Sequence, residues 1–262
     1  MSQKVASSVR LALLLGTVPL AVSAQQAPPD DEALEEIVVT AQLREESLRD
    51  VPLSVEALSG EMLAEVGILR MDDLKSYVPN LQMTETGIAN NFYVRGIGSG
   101  LNQGFEQSVS IYQDGIYRGR GHQSRLPFFD EQRVEVLRGP QPVLFAKNAV
   151  AGAVNLVAAR PTREFEGGVR ASYDVENDDT LATLVLSGPV TETLGARVAV
   201  YHRNADGYVT NATLDRKEPL RDELGGRLTL DYAASDHFDM SLRAETGSYN
   251  VRGRQVEIFG ET

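Results

Sequence analysis

The C-terminal part of the sequence, residues 162–262, alternates between apolar and polar residues over runs of about ten. In the run 238–245, four apolar residues alternate with four polar or charged ones. The same alternation recurs clearly in 227–232 and 169–176, and less regularly in 181–186 and 196–203. Successive side chains of a strand point to opposite faces, so this pattern predicts strands with one apolar and one polar face. We expect no helices in this region.

The N-terminus has the three parts of a secretory signal peptide. Lys4 and Arg10 are the only charged residues before Asp30, and the apolar run 11–22 follows them. Small residues then occupy the end of the segment, up to Ala24, where a signal peptidase would cleave. An apolar run of about 12 residues is too short for a membrane helix, which needs about 20. We therefore expect a cleaved signal peptide over 1–24 rather than a retained anchor.

Two architectures fit strands that have one apolar face. A membrane β-barrel turns the apolar face to lipid and the polar face to its lumen. A soluble antiparallel sheet or sandwich also alternates, because it packs one face on a core. Export by the signal peptide and a strand length of about ten residues both favour the barrel.

Composition excludes several kinds of chemistry. The chain has no Cys, which rules out disulfides, thiolate metal sites and a cysteine nucleophile. Its formal net charge of −12 argues against binding of nucleic acid, which depends on clustered Lys and Arg. The glycine run 96–100 lacks the spacing and the helix start of a dinucleotide-binding loop. We expect no catalytic residues, no resident metal and no cofactor.

A polar, acidic stretch follows the signal peptide and is typical of a flexible linker, over 25–43. One apolar island lies inside it, 37–41, whose Ile, Val and Thr residues favour extended backbone. Its polar flanks offer this strand no local pairing partner. Either the strand forms an edge of the following domain, or a partner sheet receives it through main-chain hydrogen bonds.

The region 44–161 mixes short strands with short helices, which is typical of an α+β domain. Strands are predicted at 51–55, 92–96, 109–112, 116–118, 133–137 and 153–157. Helices are predicted at 59–66 with Ser59 as cap, at 72–77 with Asp72 as cap, and at 143–148. Asp114-Gly115 predicts a tight hairpin turn between two of the strands, since both residues tolerate positive φ.

Several segments of this region resemble the TonB-dependent receptors of bacterial outer membranes. Residues 35–41 are similar to a TonB box. Residues 92–98 are similar to the arginine-glycine segment of the family's plug domain, and 111–117 to the hairpin that follows it. The plug's VEVLRGPQ block is resembled by 133–141 together with Asn148, Gly152–Asn155 and Arg160-Pro161. Their order and spacing match the family over 35–161. Pro142 and Ala146 depart from the family pattern.

The resemblance implies a fold and a mechanism. It implies an α+β plug domain, 44–161, followed by antiparallel β-strands of an incomplete transmembrane β-barrel, 162–262, in outer-membrane lipid. In the family the plug fills the barrel lumen. The C-terminal domain of TonB, driven by the inner-membrane energising complex, pulls on the TonB box, and a small-molecule substrate passes into the periplasm.

The resemblance also assigns roles to residues. TonB would bind Glu36, Ile37, Val38, Val39, Thr40 and Ala41. The plug arginines Arg95 and Arg138 would pair with glutamates of the barrel wall. The plug motif would comprise Gly96, Asp114, Gly115, Glu135, Gly139, Pro140, Asn148, Gly152 and Asn155. Substrate-facing plug loops would include Asn90, Asn91, Asn102, Gln103, Phe105, Arg120 and His122.

Residues 162–262 provide about five strands, fewer than the ~8 that a closed barrel needs. We therefore expect an incomplete barrel and a chain that does not transport by itself. The resemblance favours a ferric siderophore as substrate of the whole receptor. Vitamin B12, an oligosaccharide or an aromatic compound are alternative substrates, and a soluble periplasmic binding module is the alternative of a different class.

Overall fold

The computed structural model describes residues 38–40, 46–47, 49, 51–85, 90–100, 106–125, 127–141, 148–235 and 237–253. The predictions of a signal peptide, of a flexible linker and of a helix at 143–148 concern residues that lie wholly or mostly outside these ranges. The same holds for Glu36, Ile37, Ala41, Asn102, Gln103 and Phe105.

Over its described residues, the N-terminal domain, 51–161, combines small β-sheets with one short helix, as the α+β prediction requires. Its elements, with the hairpin that precedes it, are β1 (Val38–Val39), β2 (Glu46–Ser47), β3 (Val55–Ser59), α1 (Gly60–Glu65), β4 (Leu81–Glu85), β5 (Asn90–Val94), β6 (Ile97–Gly98), β7 (Val109–Gln113), β8 (Ile116–Tyr117), β9 (Glu131–Arg138) and β10 (Gly152–Ala158). The described part of the domain also has two 3₁₀ turns, Asp73–Ser76 and Gly121–Arg125.

The central sheet of the domain has the order β3-β9-β10-β7-β8, in which β10 runs parallel to β7 and antiparallel to β9. β10 is a largely apolar strand that is almost completely buried, whereas β9 is buried over 133–137 although it carries Arg133 and Glu135 there. Around them packs one core cluster that includes Leu63 of α1, Leu74 and Phe92, each at most 4% exposed. The sheet and this cluster hold the domain together.

Local signals in the sequence located several of these elements. Ser59 caps α1, since its side chain accepts a hydrogen bond from the Met62 amide at 3.2 Å. Asp114 and Gly115 form the predicted turn, with φ of 51° and 79°. Both predictions are confirmed.

Two local predictions were wrong. The first strand begins at Val55, where the predicted strand 51–55 ends, because pairing with β9 starts only there. The predicted helix 72–77 is a 3₁₀ turn, and Asp72 makes no capping bond. The carboxylate of Asp73 instead ties the preceding chain to the turn, since it accepts hydrogen bonds from the amides of Leu69 and Arg70 at 2.8 and 2.9 Å.

The C-terminal sheet has five described strands, and each is antiparallel to the next strand of the sheet. They are β11 (Glu166–Asp174), β12 (Asp179–Pro189), β13 (Leu194–Ala205), β16 (Leu220–Ser235) and β17 (Phe238–Arg252). A separate hairpin, β14 (Val209–Asn211) with β15 (Arg216–Glu218), lies in the connection between β13 and β16. Over the described residues the sheet is open, with β11 and β17 at its edges.

The two faces of the C-terminal sheet differ as the alternation predicts. The outer face of β13, β16 and β17 carries large apolar side chains that are 37–56% exposed: Val198, Val200, Leu224, Leu228, Phe238, Met240 and Leu242. The inner face carries polar and charged side chains and lies against the N-terminal domain. Among the described residues, no helix combines the length and apolar character needed to cross a bilayer.

Candidate functional sites: a charged interface and a docked strand

Arginines on the inner face of the C-terminal sheet hold the N-terminal domain. Arg197 of β13 donates through Nε to both carboxylate oxygens of Asp130, at 3.0 and 2.9 Å. Both side chains are largely buried, at 14% and 4% exposed. Nη2 of Arg197 donates to Asp130 Oδ1 as well, at 2.5 Å, so the contact is bidentate and fixes orientation as well as distance.

Arg227 of β16 is the most buried of these cations, with a side chain 2% exposed. It binds Glu131 of the domain at 3.0 Å and Glu245 of β17 at 3.1 Å. It also donates to the carbonyls of Phe129 and Asp130, at 3.0 and 3.1 Å, and lies over the Phe129 ring at 4.5 Å. Burial raises the pKa of Glu131, and the neighbouring guanidinium opposes that shift.

Two more ion pairs extend the interface. Arg243 of β17 pairs with Asp114, whose other oxygen accepts a hydrogen bond from the Ala158 amide at 2.9 Å. Arg70 of the domain pairs with Glu223 of β16, a fully buried carboxylate, and donates to the Tyr249 hydroxyl at 3.2 Å. The contacts therefore reach from β13 across to β17. By contrast, a cavity of about 710 Å³ separates α1 and Phe128 from the inner faces of β11 and β12.

The apolar island of the N-terminal linker is docked on the domain. Val38 and Val39 form β1, which pairs antiparallel with Ser47 and Glu46 of β2. The expectation that this strand has no local pairing partner was therefore wrong. Val39 is completely buried, in a cluster with Val51, Tyr112, Leu137, Ala149 and Ala153.

A buried polar cluster holds the next residue, Thr40. The carboxylate of Glu135 on β9, 0% exposed, accepts hydrogen bonds from the Thr40 amide at 2.7 Å and from its hydroxyl at 3.0 Å. Arg133 Nε and Asn155 Nδ2 donate to the same carboxylate at 2.7 and 3.2 Å. We call these four residues the Glu135 cluster. Sequence reasoning placed Glu135 and Asn155 in a motif but found neither their contact with each other nor that with Thr40.

The two arginines expected to reach the barrel wall lie in the domain as follows. Arg138 has Glu56 of β3 at 3.6 Å and donates to the Pro79 carbonyl at 3.5 Å. Arg95 is exposed, in a turn with φ of 51°. Pairing of Arg95 and Arg138 with glutamates of a barrel wall stays a prediction.

The expected substrate-facing residues occupy different environments. Asn90 and Asn91 are buried, at 4% and 0% exposed, and Asn90 donates to the Ser124 carbonyl at 3.4 Å. Arg120 is exposed, and His122 lies within the 3₁₀ turn 121–125. Their contact with a substrate stays a prediction.

The remaining motif residues shape the backbone. Gly96 and Gly139 adopt positive φ, of 80° and 108°, and Pro140 follows where β9 ends. Asn148, with φ of 64°, donates to the Tyr117 hydroxyl at 2.6 Å and to Glu106. Most of the motif therefore serves turns and close packing.

The family model and the similar proteins that we compared all point to the same family. Residues 47–153 match the family model of the TonB-dependent Receptor Plug Domain. The pesticin receptor of Yersinia enterocolitica is 27% identical over 216 residues, which cover 80% of this chain and 30% of that protein. The ferripyoverdine receptor of Pseudomonas aeruginosa is 28% identical over 167 residues, covering 61% and 20% of the two chains. The chain spans about a third of the length of several curated relatives that it matches.

Solved structures with a similar fold are also receptors of this kind. The ferric yersiniabactin uptake receptor of Yersinia pestis superposes with a TM-score of 0.68 at 25% identity, over 74% of this chain and 31% of that one. The outer-membrane ferripyoverdine receptor of Pseudomonas aeruginosa superposes with a TM-score of 0.67 at 19% identity, over 84% and 28%. The second likeness concerns the fold alone.

Proposed function

We propose that this chain, a TonB-dependent receptor by its plug domain, serves energy-coupled uptake of a ferric siderophore across the outer membrane. The N-terminal domain is the plug, and the C-terminal sheet is wall of the surrounding barrel. The task is mechanical gating of transport rather than catalysis of a covalent step. Relatives named as receptors for ferripyoverdine and ferrioxamine B support the substrate class.

One observation carries the proposal: the plug covers the polar face of a sheet whose other face is apolar and exposed. Arginines of β13, β16 and β17, of which Arg227 is buried, bind plug carboxylates, whereas Phe238, Met240 and Leu242 point away from the plug and are more than half exposed. A soluble sandwich would pack its apolar faces inward. In a bilayer this apolar face meets lipid, which accounts for its composition.

Membrane fractionation separates this proposal from a soluble periplasmic binding module. We expect the protein in the outer-membrane fraction after removal of residues 1–24. Cells that produce a full-length receptor containing this chain should take up iron-loaded pyoverdine or ferrioxamine B only while the inner membrane is energised, and cells that produce residues 1–262 alone should take up neither. Vitamin B12 is the comparison substrate, because a relative 23% identical over 239 residues is named as its transporter. Recovery of folded protein from the soluble periplasm would contradict the proposal.

TonB binding should depend on the main chain of the segment 36–41. Replacing Val38 by proline removes an amide donor and fixes φ, so a strand formed with a partner sheet loses part of its ladder. We expect capture of the purified TonB C-terminal domain by Val38→Pro protein to fall at least about tenfold.

The matched control is Val38→Ala, which shortens the same side chain but keeps the amide. Its capture of TonB should stay within about threefold of the parent protein, because the ladder is retained. Equal capture by the proline and alanine variants would show that this segment does not bind TonB as a strand.

A further inference from the structure

We infer that the cavity between helix α1 and the inner faces of strands β11, β12 and β13 is a binding site for a small organic anion with an aromatic body. The cavity has a volume of about 710 Å³. Sites that enclose small organic ligands usually measure about 300–1,000 Å³. Binding there is independent of the proposed function, because it requires neither TonB nor an energised membrane.

The cavity has aromatic rings on both of its walls. Phe128 lines the wall that the plug forms. Tyr201 of β13 lines the sheet wall, and its ring centroid is 4.7 Å from that of Phe129, which borders the cavity as well. Leu181 and Val185 of β12 are partly buried, on a face that carries mostly polar and charged side chains elsewhere in the sheet. An aromatic body therefore finds apolar contacts on both walls.

Arg203 of β13 lines the cavity and has one unused donor. Its Nε donates to both carboxylate oxygens of Asp179, at 3.0 and 3.1 Å. Its Nη1 is buried and has no hydrogen-bond partner in the part of the chain that the structure describes. A buried N–H without a partner is unfavourable, and an anion within reach of the guanidinium satisfies it.

Arg170 of β11 supplies a second guanidinium to the same wall. It is exposed and forms no ion pair with a described residue. Arg170 lies opposite Thr183 of β12, which in turn lies opposite Tyr201 of β13. Arg203 follows two residues after Tyr201, on the same face of that strand. The two arginines therefore flank one part of the wall, and their planar forks suit a carboxylate.

The other charged groups of the lining leave this preference in place. Arg197 is paired with Asp130, and Glu131 is paired with Arg227. Glu61 lies in the first turn of α1, on the opposite wall, and it is exposed. Because Glu61 is solvated whereas the Arg203 donor is buried, the unmet requirement of the cavity is for an acceptor.

Binding can be followed with 2-naphthoate, a fluorescent aromatic carboxylate, because the chain has no Trp to interfere. With the full chain in micelles of a non-ionic detergent, we expect a saturable rise in the fluorescence anisotropy of this probe. Arg170→Gln should weaken binding about tenfold, since a charge-assisted hydrogen bond is lost. Arg170 is exposed and forms no ion pair with a described residue, so this variant should keep the denaturant midpoint of the parent protein.

Arg252→Gln is the matched control, because Arg252 is an exposed arginine at the end of β17, on the outer face of the sheet. It should leave the affinity for 2-naphthoate unchanged. Glu61→Gln removes a charge of the opposite sign from the helix wall and should strengthen binding, by up to about threefold. An Arg170 variant that binds the probe like the Arg252 variant would overturn the site, since the probe would then be held elsewhere, the micelle included. Weaker binding by Glu61→Gln would overturn it as well.

Two analogues of the probe test the class of ligand. 2-Naphthamide keeps the rings without the charge and should bind at least about tenfold more weakly. Octanoate keeps the carboxylate without the rings and should displace 2-naphthoate only at higher concentration, because Phe128 and Tyr201 pack well on another ring. Equal affinities for the amide and the carboxylate would refute an anion site. Displacement by octanoate at the lower concentration would refute the aromatic body and indicate a fatty acid instead.

Discussion

Replacing Arg227 by alanine should lower the free energy of unfolding of the protein in detergent micelles by about 3–5 kcal/mol. The side chain is 2% exposed, and its removal leaves Glu131, itself 3% exposed, without its cation. Two backbone carbonyls and Glu245 lose a donor as well. A denaturant midpoint followed by tyrosine fluorescence measures the loss, since the chain has nine Tyr and no Trp.

Arg170→Ala is the matched control, because Arg170 lies on the exposed strand β11 and its loss should change stability by less than about 0.5 kcal/mol. A second comparison isolates the buried charge. Arg227→Ala combined with Glu131→Gln should cost clearly less than the two single changes added together, since glutamine leaves no charge unpaired. Additive losses would show that the ion pair is not what holds the plug against the sheet at this point.

The sequence predicted the inner face of the sheet but not what binds it. Alternation placed Arg227 and Arg243 on the polar face of their strands, and that placement is confirmed. Their partners, Glu131 and Asp114, lie about a hundred residues or more away in the chain, and Asp114 stood out as a turn and motif residue, not as the partner of an arginine. Which carboxylate meets which arginine depends on how plug and sheet are positioned, and no local pattern contains that information.

The pairing of strand β1 escaped prediction for a related reason. Its pairing partner β2 consists of Glu46 and Ser47, residues with no preference for strands. What holds the strand is tertiary: burial of Val39 and the contact between Thr40 and Glu135. By contrast, the sequence alone predicted features that depend on only a few neighbouring residues. The Ser59 cap and the Asp114-Gly115 turn are two of them.

Replacing Gly152 by alanine should destabilise the plug by about 3 kcal/mol, because the added methyl group has no room. A Cβ at this position would lie 2.4 Å from the Leu137 carbonyl oxygen and 3.5 Å from Val94 Cγ2. That carbonyl cannot move aside easily. Leu137 is fully buried and sits opposite Val55, and the next amide, of Arg138, donates to the Ser54 carbonyl at 2.9 Å. β9 is thus held by β3 on the side away from β10. The clash of the added methyl group therefore strains the pairing of β9 with β10.

Gly168→Ala provides the comparison, since a Cβ on this glycine of β11 would meet no atom within 4 Å. It should leave the denaturant midpoint almost unchanged, whereas Gly152→Ala should lower it. A plug that accepts alanine at 152 with an unchanged midpoint would show that β9 and β10 can separate by the ~0.5–1 Å that the methyl group demands.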